Sequence, residues 1–185
     1  MHDQDRGRLI EAVNVQAGML REDVGRWRCR WKLEKFHGSD TGPGAVPFEV
    51  IEREGNLMMY GGASALWHRL TGGTSVAPFD ATNARLGVGD GTAGADPTHN
   101  DLQGTNKLRK GMDPGFPQHT EGTNLSAASV TFKATFGQGE ANHPWQEWGL
   151  FNAATLGRML NRRVEDLGAK SSAATWVLTV VLSLV

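Results

Sequence analysis

The side chains best suited to chemistry are scattered along this chain. Six histidines, His2, His37, His68, His99, His119 and His143, show no pair at zinc-ligand spacing, and the lone Cys29 cannot complete a thiolate site. The run Gly87-Val-Gly-Asp-Gly91 invites a phosphate-loop reading. A dinucleotide fingerprint, however, needs G-x-G-x-x-G opening a helix, and Thr92 stands at the third position. Gly87, Gly89, Asp90 and Gly91 are therefore read as a tight turn with a structural role. Asp90, Asp96, Asn100 and Asp101 offer oxygen ligands in one loop, but their spacing is not that of a calcium loop and no glutamate closes it. No G-x-S-x-G nucleophile elbow is present. The expectation is a protein that is not an enzyme and uses no metal or cofactor.

Two features suggest contact surfaces instead. Arg26, Arg28, Arg30 and Lys32 form a basic stripe at every second residue. They suit an acidic partner, or equally a solvated sheet face protected against aggregation. Trp145 and Trp148 are three apart, so strict strand alternation sends them to opposite faces. One would then leave the core and become an interface anchor, unless both faces are covered.

The elements that must position these groups are mostly strands. In Arg26 to Phe36, Trp27, Cys29, Trp31 and Leu33 alternate with charged residues, the mark of a half-buried antiparallel strand. Further strands are read at Phe48 to Arg53, returning through a turn at Glu54-Gly55-Asn56 to Leu57–Tyr60. Others are read at Arg85–Gly89, Ser129–Phe136, Trp145–Asn152, Met159–Val164 and Thr175–Val185. Ala63, Leu66, Trp67 and Leu70 fall at helical spacing and predict one short amphipathic helix, closed by Gly72-Gly73. The polar stretch 92–124 reads as one long functional loop. The fold class is mainly β: a β-sandwich or compact barrel of about six to eight short antiparallel strands, with one short helix and long loops. Residues 1–25 read as an N-terminal arm or short helix, and 26–185 as a single β-rich domain.

The chain has 185 residues, with 19 Lys plus Arg against 20 Asp plus Glu. That balance argues against nucleic acid or an anionic membrane as the specific partner. Residues 1–8 carry no apolar signal core, and the apolar run 176–185 is about half of what a membrane helix needs. A single cysteine leaves no intrachain disulfide to form, so assembly in a reducing cytoplasm is expected.

Three motifs arrive in order: Glu54-Gly-Asn-Leu-Met-Met-Tyr-Gly-Gly62 before the helix; Arg85-Leu-Gly-Val-Gly-Asp-Gly91 with Asn100-Asp-Leu-Gln-Gly104; and Thr131–Phe136 followed by Asn142-His-Pro-Trp-Gln-Glu-Trp-Gly-Leu-Phe151 and Gly157-Arg-Met-Leu-Asn-Arg162. This progression, over roughly 54–162, resembles the N-terminal attachment region of tail-collar and tail-fibre proteins of tailed bacteriophages. The resemblance implies a structural virion protein, assembled in the host cytoplasm, self-associating and docked onto tail, neck or major capsid proteins. It implies no catalytic residues. Fibre proteins continue into a repetitive shaft, whereas this sequence ends at Val185. The expected role is therefore a tail, collar or baseplate adaptor or fibre-anchoring component. Alternatives are a capsid decoration protein, or a carbohydrate- or host-surface-binding module.

Overall fold

The computed structural model of the chain describes residues 26–184, so the expectation for residues 1–25 lies outside the described residues. Ten strands run in chain order: β1 (Trp27–His37), β2 (Glu49–Glu54), β3 (Leu57–Met58), β4 (Arg85–Gly89), β5 (Lys107–Gly111), β6 (Gln118–His119), β7 (Ser129–Phe136), β8 (Glu147–Phe151), β9 (Met159–Val164) and β10 (Ala174–Leu184). One α-helix, α1 (Tyr60–Leu70), follows β3, and a 3-10 turn (Leu125–Ala128) precedes β7. The strands form two five-stranded antiparallel sheets, ordered β2-β1-β10-β7-β6 and β3-β9-β8-β4-β5. The mainly β class is met, and two separate sheets make it a sandwich.

Alternation builds the core. From the first sheet, Trp31 and Leu33 of β1, Phe132 and Phe136 of β7 and Leu178 and Val180 of β10 point inward. Leu86, Val88, Trp148, Leu150 and Leu160 meet them from the second. β1 and β10 are the longest strands and pair along their whole length, from Trp27↔Leu184 to His37↔Ala174. Two long central strands with period-two apolar faces fix the register, because a one-residue slip would expose every buried side chain at once. Cys29 lies in this core, and burial pushes its thiol up to about 12, leaving it neutral and unreactive as a nucleophile.

Three local expectations change. First, β2 and β3 do not form a hairpin. β2 pairs with β1, whereas β3 pairs with β9, so the chain crosses between sheets at Gly55, which takes a positive φ of 89°. Second, the stretch 92–124 is not one loop, since it holds β5 and β6. β5 reads Lys-Leu-Arg-Lys-Gly and shows little apolar alternation; its ladder to β4 holds it at a sheet edge. Third, the apolar stripe of α1 is split: Leu66 packs against the core, but Trp67 and Leu70 do not. Its buried residues are Gly62 and Ala65, while Trp67 is 64% and Leu70 is 75% exposed.

The cause of that third difference is backbone contact. A Cβ on Gly62 would sit 2.7 Å from the carbonyl oxygens of both Met159 and Leu160, and closer still to the Leu160 Cα. The helix therefore lies directly on β9 through its smallest residues, and Trp67 and Leu70 turn outward while Leu66 still reaches the core. At an ordinary helix interior, Gly→Ala stabilises by about 1 kcal/mol. Here Gly62→Ala is expected to destabilise by about 2 kcal/mol. A urea midpoint at or above that of the wild type would disprove the close contact.

Candidate functional site

The densest polar constellation lies on the outer face of the second sheet, against the 90–106 segment. β8 alternation turns Trp148 and Leu150 into the core and leaves Glu147, Gly149 and Phe151 facing out. On the neighbouring strand β9, Arg162 faces the same way, opposite Gly149. The Glu147 and Arg162 side chains are both fully buried, and Arg162 Nε donates to Glu147 Oε2 at 2.7 Å. Gly104 N–H donates to Glu147 Oε1 at 2.7 Å, and Gln103 N–H to Oε2 at 3.1 Å. The Arg162 guanidinium also donates to the carbonyls of Ala93 (2.8 Å) and Gly94 (3.2 Å) and to His99 Nδ1 (3.1 Å). Asp96 N–H points at the same nitrogen, so Nδ1 serves as the acceptor for both.

Glycines make room for this pair. A Cβ on Gly89 would stand 2.8 Å from Glu147 Oε1, and one on Gly91 would overlap that oxygen outright. A Cβ on Gly87 would stand 2.7 Å from the Phe151 ring. The tight-turn reading of these residues is thus corrected for Gly87 and Gly89, which lie inside β4. Their missing side chains are needed for close approach, not for a left-handed backbone. Asp90 ties the segment's ends together. Its carboxylate accepts from Asn106 N–H (3.0 Å) and Asn106 Nδ2 (2.6 Å), and these bonds hold its carboxyl below the usual range.

A second polar cluster lies next to it. Asp101 accepts from Lys107 Nζ and Arg109 Nη2, each at 2.8 Å. Burial pushes the Asp101 carboxyl up, but the hydrogen bonds from Arg109 and Lys107 outweigh it and the result lies below the usual range. Arg109 stacks 3.7 Å above the Phe151 ring and donates to the carbonyls of Ala153 and Leu156, so it pins the β8–β9 connection.

This arrangement clamps the 90–106 segment to the sheet. Both carboxylate oxygens of Glu147 are occupied, and no solvent reaches the pair. Among the described residues no three His, Cys, Asp or Glu side chains gather as a metal site. Asp90, Asp96 and Asp101 turn to separate partners: Asn106, Thr98, and Lys107 with Arg109. Sequence reasoning quoted Glu147 and Arg162 within motifs but missed their roles. The available signal was Glu147 opening an otherwise apolar strand and Arg162 within a strand that begins Met159-Leu160, both of which need partners if buried.

The predicted contact residues divide. Trp145 and Trp148 are both fully buried, so neither is a surface anchor. Trp145 precedes β8, where strict alternation does not bind it, and its ring packs edge-on to Phe136 and Trp176. Trp148 meets Trp31 edge-on, also inside the sandwich. Arg26, Arg28 and Arg30 are exposed, and Arg28 and Arg30 line the outer face of the first sheet. Lys32 pairs with Glu34 at 3.0 Å, and β2 sets Glu54 across from Arg30 and Glu52 across from Lys32. The exposed tryptophan is Trp67, in line with Tyr60 and Leu70 on the outward face of α1. Gly62 and Ala65, three apart, were the signal for the inward face.

No protein-family model, curated protein or solved structure matches this chain.

Removing one member of a buried ion pair leaves the other charge uncompensated. Glu147→Gln is therefore expected to cost about 3–5 kcal/mol. Chemical denaturation checks this, and a loss below about 1 kcal/mol would show the clamp to be dispensable. Asp101 and Glu140 both have lowered carboxyl pKa values in the folded state. For Glu140 as well, burial raises the value, and the Lys110 and Gly137 hydrogen bonds outweigh that rise. Their contribution is present above the unfolded value near 4 and is lost as pH falls through the folded values. Asp101→Asn should lose less stability than the wild type between neutral pH and about pH 3. Equal losses would remove Asp101 from the acid response.

Proposed function

We propose that this chain is a structural protein of a tailed-phage particle. In this reading it self-associates and docks onto other virion proteins as a tail, collar or baseplate adaptor or fibre-anchoring component, and it catalyses nothing. The observation that carries the reading is the meeting of the three ordered motifs. The first motif brings Gly62 against Leu160 of the third. The second supplies Gly89, Gly91, Leu102 and Gly104 around Glu147 and Phe151 of the third. The third closes on itself through Glu147 and Arg162. Short glycine-rich motifs are weak singly. Their convergence on one buried clamp supports treating them as a single inherited unit.

The clamp is also the sort of device a static anchor needs. It holds a long loop rigid without offering a reactive group. Immediately after the first motif, α1 presents Tyr60, Trp67 and Leu70 to solvent, and exposed aromatic stripes are typical anchors of protein interfaces. Trp67 takes over the anchoring role expected of Trp145 or Trp148.

Light scattering of the purified protein and localisation in particles test this reading. A self-associating protein is expected, present in virions. Trp67→Ser should weaken association about tenfold or more while leaving the urea midpoint nearly unchanged. A strict monomer absent from particles would sink the proposal. Hundreds of copies over the head would move the role to capsid decoration.

A further inference from the structure

Both sheets end in strands that pair on one side only. β2 is the longest of these edge strands, with six residues against five in β5 and two each in β3 and β6. It pairs with β1 from Glu49↔Lys35 to Glu54↔Arg30, and no other described strand joins it. Gly55 N–H donates to the Cys29 carbonyl at 2.8 Å in the same register, so hydrogen-bonded pairs fall at the odd-numbered residues of β2. The N–H and C=O groups of Val50, Glu52 and Glu54 therefore point away from the sheet. Among the described residues only the Glu52 carbonyl is engaged, by the guanidinium of the adjacent Arg53 at 2.9 Å.

Such an edge is a template for another strand, and charged side chains ordinarily keep it single. The charges of β2 are instead self-complementary in one register. Antiparallel pairing with a second copy must set outward-pointing residues against one another. The edge closes at Phe48, whose N–H is spent on the Lys35 carbonyl, and Pro47 has no N–H to offer. Centring the pair on Val50 leaves a single hydrogen-bonded couple. Centring it on Glu52 or beyond sets glutamates opposite glutamates, which destabilises. The register between these places Val50 opposite Glu52 twice. It sets Ile51 against Ile51 on the two-fold axis, with Glu49 opposite Arg53 on either side.

Both members of that couple have capacity left. The Glu49 and Arg53 side chains are 46% and 56% exposed. Glu49 accepts from Lys35 through Oε2, and Arg53 meets Glu165 through Nε at 3.4 Å. Glu49 Oε1 and Arg53 Nη2 have no partner among the described residues. Val50, 48% exposed, would gain Val50 of the second copy as a diagonal neighbour. We infer that β2 pairs antiparallel with β2 of a second copy in this register, joining two five-stranded sheets into one of ten strands. The contact lies apart from the α1 stripe and does not rest on a virion role.

Cysteine cross-linking reads both the contact and its register. Residues directly opposite in a non-hydrogen-bonded pair have Cα atoms about 4.5 Å apart, within disulfide range. Under mild oxidation Ile51→Cys is expected to give a covalent dimer. Val50→Cys and Glu52→Cys are expected to give none, because each faces the other position and not itself. Cys29 is buried and stays out of the reaction. Placing all three in Trp67→Ser keeps the result separate from the α1 stripe. In that background Glu52→Pro removes an outward N–H that β1 does not use, and light scattering should show association weakened about tenfold or more. Glu49→Gln should weaken it in the same direction without touching the backbone, and tryptophan fluorescence checks the fold of each variant. No covalent dimer from Ile51→Cys overturns the inference. So do cross-links at Val50 or Glu52 in its place, or association indifferent to both Glu52→Pro and Glu49→Gln.

Discussion

The buried Glu147–Arg162 pair is the constraint around which the second sheet is arranged. Each ion loses its water on burial, at an effective cost of several kcal/mol. That cost is tolerable only if nearly every lone pair and N–H finds a partner. The partners come from far along the chain: Ala93, Gly94 and His99 on the arginine, Gln103 and Gly104 on the glutamate. A segment with few apolar residues is thereby fastened to the sheet by its backbone polar groups. The pair orders the segment, and the segment keeps water from the pair.

The same requirement explains the glycines. A carboxylate seated against β4 needs space above that strand, and Gly89 and Gly91 leave it. The Phe151 ring needs the space above Gly87. The Arg109 guanidinium then closes over that ring and reaches back to Asp101. Glycine content in this region reflects packing of side chains onto bare backbone. The helix obeys the same rule at Gly62, where backbone meets backbone.

Sealing one outer face by polar latches while leaving grooves and aromatic stripes elsewhere divides the molecule into scaffold and surfaces. The scaffold comprises the inter-sheet core and the clamp, with every strong charge internally matched. The surfaces are the Tyr60–Trp67–Leu70 stripe and the charged outer face of β1 and β2, where Lys32 pairs with Glu34 and Arg53 with Glu165.

The sequence by itself determined the strands whose one face is apolar and whose other is not. β1, β7 and β10 are legible because alternation is a local pattern that burial of one face imposes. Turn chemistry located the end of α1, where Gly72 takes a positive φ of 83°. Only the tertiary structure decided what covers each face. Trp145 enters the core because the chain has not yet joined β8, and Trp67 is excluded because Gly62 must touch β9. β5 carries little apolar alternation because it is an edge held by its ladder, and β2 and β3 part company because Gly55 lets the chain change sheets. Each of these outcomes depends on a residue distant in sequence, and periodicity carries no information about distant partners. The clamp combines both sources. A glutamate at the head of the apolar β8 announces that a buried partner must exist, and the register of β8 against β9, with the 90–106 segment above, decides that the partner is Arg162 rather than Arg163.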